Sequence, residues 1–106
     1  MDEKKRGRLT AAGWRIGRID EFLELNPADS AFIEMKLGLA NRLRTLRVEH
    51  GWTQTEVAGR LQSSQSRVAK MEAADATVSL DLLVKSLLAL GASAAEVAKV
   101  IASRAA

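Results

Sequence analysis

The chain has 106 residues, 47% apolar and 27% charged, with a net charge of +3, no Cys and one His. That suits one small domain with one core, and it excludes a disulfide frame, a thiolate metal site, a Cys/His dyad and a metal site built on histidines. With no apolar run of about 18 residues and no apolar leader, the expected setting is the reducing cytosol, and no cofactor is implied.

Residues 1–13 carry Lys4, Lys5, Arg6 and Arg8 with little apolar content, which predicts a basic, flexible arm. Such an arm either solubilises the chain or lies along phosphates and enters a minor groove. Over 14–26 a short extension is expected. Trp14-Arg15-Ile16-Gly17-Arg18-Ile19 alternates with period 2, as an extended segment does, and Asp20 then caps a turn carrying Phe22, Leu23 and Leu25. Trp14, Ile16, Ile19, Phe22 and Leu23 are large apolar groups that either fold back on the core or form a partner-binding patch.

From 27 to 106 the pattern is helical. Asn26-Pro27-Ala28-Asp29 combines an N-cap, a Pro at the first helical position and an acid in the first turn. The helix it opens is expected to run to His50 and stop at Gly51, with Phe32, Met35, Leu39, Leu43 and Leu46 on one stripe. Trp52 follows, a residue that either fills the core or stacks on a base. Thr53 and Glu56 form a capping box for a second helix, where Val57, Ala58 and Leu61 face inward and Glu56 and Arg60 are spaced for an i,i+4 ion pair. Gln62-Ser63-Ser64 interrupts this pattern, because serines favour bonds to the local backbone. Ser64 caps a third helix with Val68 and Met71 inward and Gln65, Ser66, Arg67 and Lys70 outward. After the polar link Ala73-Ala74-Asp75-Ala76-Thr77, Ser79 caps a leucine-rich helix ended by Gly91. Ser93 and Glu96 make a second capping box for a last helix. Its Val97, Val100 and Ile101 are expected to form a leftover apolar edge for a two-fold contact.

Taken alone, Arg67 and Lys70 are a solvated helix face. Together with Gln65 and Ser66 they suit DNA: Gln bonds adenine edges bidentately, Arg and Lys read guanine or hold phosphate, and a helix that presents them at its N-terminal end fits a major groove. Charge is distributed accordingly, with +4 over residues 1–18, −4 over 19–41, +4 over 42–70 and −1 over 71–106. Basic charge thus gathers in the arm and around the two short helices.

The stretch Thr53 to Glu72 resembles the helix-turn-helix of the Cro and phage-repressor (XRE) family at many positions in register. The resemblance implies an all-α, five-helix Cro/repressor-like domain, here with an N-terminal extension. It places Gln54 where the family's first-helix glutamine bonds a phosphate, Ala58 at the small residue between the two helices, and Glu72 at an acid paired with Arg47 to lock helix to helix. Two positions depart from it. Gln62 stands where the family has a Gly with positive φ, at a cost of about 1 kcal/mol. Ser63 stands where the family buries Val or Ile.

No nucleophile lies near a base and no Gly-rich phosphate loop occurs, so a non-enzymatic regulator is expected. In that reading Gln65, Ser66, Arg67 and Lys70 reach bases, and Gln54, Thr53, Arg42 and Arg44 hold phosphates. A homodimer on a palindromic operator of double-stranded DNA supplies specificity. A finer resemblance, in Phe22-Leu23-Glu24-Leu25-Asn26-Pro27, Arg42-Leu43-Arg44-Thr45-Leu46-Arg47 and Val78-Ser79-Leu80-Asp81-Leu82-Leu83, is to the HigA-type antitoxins. It implies a RelE-fold ribonuclease toxin as partner. The alternatives are a plain XRE-type repressor without that partner and a helical interaction adaptor.

Overall fold

A computed structural model describes residues 26–105; among these the chain forms five α-helices and no strand, an all-α fold. The chain falls into two units, residues 1–32 and 33–106. The basic arm and the patch residues Trp14, Ile16, Ile19, Phe22 and Leu23 lie outside the described residues. The helices are α1 (Pro27–Glu49), α2 (Gln54–Leu61), α3 (Gln65–Glu72), α4 (Leu80–Ala89) and α5 (Ala94–Ala105).

Each helix starts where a short polar side chain accepts from an amide of the first turn, which would otherwise lack a partner. Asn26 Oδ1 accepts from the Asp29 amide at 2.8 Å, Ser64 Oγ from Arg67 at 3.2 Å and Ser79 Oγ from Leu82 at 3.0 Å. Both capping boxes close reciprocally. Thr53 Oγ1 accepts from the Glu56 amide at 3.0 Å while Glu56 Oε1 accepts from the Thr53 amide at 2.8 Å. Ser93 and Glu96 exchange the same pair at 3.0 and 2.9 Å.

The first four helices end in one way. A left-handed residue follows the helix, directly in α2 and after one intervening residue in α1, α3 and α4, and the amide after it reaches back to the last turn, the arrangement of a Schellman motif. Trp52 donates to Arg47 O, Ser63 to Ala58 O, Asp75 to Lys70 O and Ala92 to Leu87 O, at 2.8 to 3.0 Å. The left-handed residues are Gly51 (φ 72°), Gln62 (φ 55°), Ala74 (φ 54°) and Gly91 (φ 108°). α1 thus ends at Glu49, one residue before the sequence suggests, because His50 already belongs to the exit turn. The two ends that flank α3 are the ones without glycine.

The core is one cluster. Leu39 and Leu43 of α1, Val57 of α2, Val68 of α3 and Leu83 and Leu87 of α4 are fully buried, and Met71 is nearly so. At eight residues each, α2 and α3 are too short to be stable alone. Their inward faces fix them against each other, with buried Ala58 of α2 allowing close approach. One expectation fails here. Val97 belongs to the core, 6% exposed, and Val100 and Ile101 pack against that core partly buried. This stripe of α5 is spent closing the monomer, so Val97 is not on a leftover edge.

The α3–α4 link is held by Asp75, whose Oδ1 accepts from the Thr77 amide at 2.8 Å and from the Thr77 hydroxyl at 2.7 Å, while Lys36 Nζ donates to Asp75 O at 3.0 Å. The two Thr77 bonds hold the Asp75 carboxyl below the usual carboxylate range. Its contribution to stability is therefore full above the unfolded-state value and is lost as pH falls through the lower folded-state value. Asp75→Asn should flatten the stability-versus-pH curve below about pH 4 and leave its slope near neutrality unchanged, as read by urea midpoints across pH.

The helix ends and the one exposed helical glycine predict opposite signs for similar substitutions. Gln62→Gly and Ala74→Gly should each raise stability by about 0.5–1 kcal/mol, since they relieve a left-handed side chain. A Cβ added at Gly51 or Gly59 meets nothing within 4 Å, so backbone conformation alone decides there. Gly51→Ala should destabilise, and Gly59→Ala, inside α2, should stabilise by about 1 kcal/mol; chemical denaturation of the four variants checks the set.

Candidate nucleic-acid interface

Arg47 comes from the last turn of α1 and reaches the last residue of α3. Its Nε donates to Glu72 Oε2 at 2.6 Å, Nη2 to Glu72 Oε1 at 3.1 Å and Nη1 to Trp52 O at 3.1 Å. The pair is bidentate and largely enclosed, with the side chains 17% and 6% exposed. The hydrogen bond that Arg47 donates to Glu72, ahead of the opposing effect of burial, raises the guanidinium above its ordinary pKa. One contact thus ties three elements together: the end of α1, the turn before α2 and the end of α3.

The same carboxylate orients the exposed face of α3 through a chain of two amides. Glu72 Oε1 also accepts from Gln54 Nε2 at 3.1 Å, and Gln54 Oε1 in turn accepts from Gln65 Nε2 at 2.6 Å. An ionised carboxylate only accepts, so Gln54 must turn its nitrogen inward and its oxygen toward Gln65. Gln65 must then answer with its own nitrogen. That spends one N–H of Gln65 and leaves its second N–H and its Oε1, the donor and acceptor that match the major-groove edge of adenine.

Beside Gln65 on α3, Ser66, Arg67 and Lys70 are exposed. Among the described residues no carboxylate lies within ion-pair distance of Arg67 or Lys70. With Ser64, Thr77, Val78 and Leu82 they line an open groove of about 340 Å³ between the front of α3 and the link that follows it. Thr77 was not among the residues singled out by sequence. Its place follows from the tertiary closure of the link, for which a Thr two residues after an Asp is the only local signal.

The four residues expected to hold phosphates do not share one situation. Thr53 spends its amide and its oxygen on the capping box, but its hydroxyl proton is not used there. Gln54 sits inside the amide chain just described. Arg44 is exposed in a shallow cleft with Glu72, Ala73 and Ala74 at the far end of α3. Arg42 is turned toward acids, with Glu49 at 3.4 Å and Glu96 of α5 at 3.9 Å, so among the described residues its charge is shared where that of Arg44 is not.

Arg60 also departs from expectation. Glu56 is held by its cap, and the Arg60 guanidinium lies 4.1 Å from the Trp52 ring centroid rather than on Glu56. His50 stacks on Trp52 with centroids 4.3 Å apart, so the indole packs against the core, a histidine and a guanidinium.

Two short helices locked across a tight turn, with the second one's polar face open, define a DNA-binding helix-turn-helix protein. A family model for the helix-turn-helix domain matches residues 39–100, more than half of the chain, and the chain belongs to that family. No curated protein and no solved structure matches it.

Arg47→Ala should cost about 3–5 kcal/mol, because it leaves the Glu72 carboxylate enclosed and uncompensated. Replacing both partners, Arg47→Met with Glu72→Met, should cost clearly less than the sum of the single changes in a double-mutant cycle of unfolding free energies.

Proposed function

We propose that this protein is a non-enzymatic, sequence-specific transcriptional regulator that binds a palindromic operator as a homodimer and represses its own operon. The observation that carries this reading is the exposed front of α3. Gln65, Ser66, Arg67 and Lys70 stand there, and among the described residues neither of the two cations has a carboxylate within ion-pair distance. Arg67 and Lys70 suit guanine edges and phosphate, and Gln65, with its remaining donor and acceptor, suits adenine. Thr53 and Gln54 flank this front, Arg44 stands at the far end of α3, and all three serve the backbone, which sets register without reading sequence.

A narrower reading makes the protein the antitoxin of a type II pair that neutralises a RelE-fold ribonuclease. Its support is the sequence resemblance over residues 14–91, and the apolar residues Trp14 to Leu23 would be the surface offered to that toxin. Co-expression with the product of the adjoining gene tests it: a stable complex that dissociates in Trp14→Ala/Phe22→Ala supports the antitoxin reading. Failure to co-purify leaves the plain repressor.

Fluorescence anisotropy against DNA from the protein's own upstream region and against scrambled DNA, at two salt concentrations, tests the main reading. Arg67→Ala should cost about 1–3 kcal/mol on the cognate sequence and relax sequence preference, whereas Arg44→Ala should weaken all sequences alike and reduce the salt slope by about 1. Equal, steeply salt-dependent binding to both DNAs by the unmodified protein would overturn it.

A further inference from the structure

Behind the reading face lies a second cleft, of about 380 Å³, between the turn after α2, the flank of α3 and one stripe of α4. Its walls are of three chemical kinds. Leu61, Met71, Leu82 and Ala89 form an apolar lining; Ser63 and Ser86 contribute hydroxyls; and Arg60, Arg67 and Lys85 bring positive charge. The volume is at the small end of ligand sites, and the mixture of apolar wall with a few convergent polar groups is what such sites present.

One detail separates this cleft from an accident of packing. Ser86 is 5% exposed, and among the described residues its hydroxyl has only the Met71 sulfur as acceptor, at 3.5 Å. A thioether is a weak acceptor, so a buried donor on the cleft wall is poorly satisfied. Among the described residues no carboxylate comes within ion-pair distance of Arg67 or Lys85.

We propose that this cleft binds a small organic carboxylate with an apolar body and thereby weakens DNA binding. The carboxylate pairs with Arg67 and Lys85, the Ser86 hydroxyl donates to it or to a polar substituent beside it, and the apolar body lies on Met71, Leu82 and Leu61. Coupling to DNA follows from one side chain. Arg67 lines both this cleft and the groove at the front of α3, so a guanidinium engaged by the ligand is withdrawn from the base edges. That second half of the proposal rests on the DNA-binding reading above; the first half does not.

The test uses the full chain and three probes, benzoate, acetate and inorganic phosphate. In ¹⁵N-correlated NMR spectra, benzoate should shift the signals of Ser63, Arg67, Met71 and Ser86 along saturating curves with Kd in the millimolar range, about 1–10 mM, and acetate and phosphate should bind more weakly. Lys85→Gln should weaken benzoate. Ser63→Ile, which fills part of the cleft with a larger side chain, should abolish the response, and an unchanged thermal midpoint shows that the variant is folded. In anisotropy, saturating benzoate should reduce affinity for cognate DNA about threefold or more in the unmodified protein and leave it unchanged in Ser63→Ile.

Linear, non-saturating shifts, equal response to all three probes, or an unaltered response in Ser63→Ile would overturn the site. Saturating shifts with unchanged DNA affinity would overturn the coupling. If the protein binds no DNA at all, the NMR titration still decides the site, so the two readings fail separately.

Discussion

The structure depends on a carboxylate that can only accept hydrogen bonds. Glu72, enclosed at the end of α3, receives Arg47 from α1 and Gln54 from α2. Burying such a charge is favourable only with its partners in place, so all three helices are held to one arrangement or lose much of their stability together. The consequence reaches past stability. Because neither Gln54 nor Gln65 can turn its amide over without setting two donors or two acceptors against each other, the hydrogen-bonding identity of the first side chain on the reading face is decided some two helical turns away, at the other end of the same helix.

The helix starts were legible in the sequence, because their chemistry is local. Thr53 with Glu56, Ser93 with Glu96, and Asn26, Ser64 and Ser79 each act within one turn, so residue type and spacing suffice. Gly51 and Gly91 mark exits for the same reason. Gln62 was legible only through the family pattern, since nothing about glutamine favours a left-handed backbone, and Ala74 carried no signal at all. What stayed hidden depends on which element folds against which. Arg42 reads on sequence as a phosphate holder and Arg60 as the partner of Glu56, yet Glu49 and Glu96 lie beside the first and Trp52 beneath the second. Val97, Val100 and Ile101 read as a spare edge because periodicity gives the direction of an apolar face but not what it meets. The pairing of Arg47 with Glu72 was accessible because the family resemblance supplied the long-range link that spacing lacks.

Charge and strain are placed to match this division. Arg67 and Lys70 on the open face of α3 have no carboxylate within ion-pair distance among the described residues, whereas Arg42 and Arg47, away from that face, do. The two left-handed side chains, Gln62 and Ala74, stand at the entrance and exit of α3. The segment that faces outward is therefore the one where local preferences are least satisfied, and the cluster of Leu39, Leu43, Leu83 and Leu87 beneath it supplies the stability that compensates.

The shortness of α3 sets a limit of another kind. Eight residues rise about 12 Å along the axis, which spans only three to four base pairs of duplex at 3.4 Å each. A word of four letters recurs by chance about once in every 256 positions, so one copy of this helix meets thousands of equivalent words in any genome. No refinement of its side chains can raise that ceiling, because the ceiling is a matter of length and counting. Discrimination beyond it has to be composed from several readings held at a fixed distance, and the rigidity given to α3 by its neighbours is what makes such a composition repeatable.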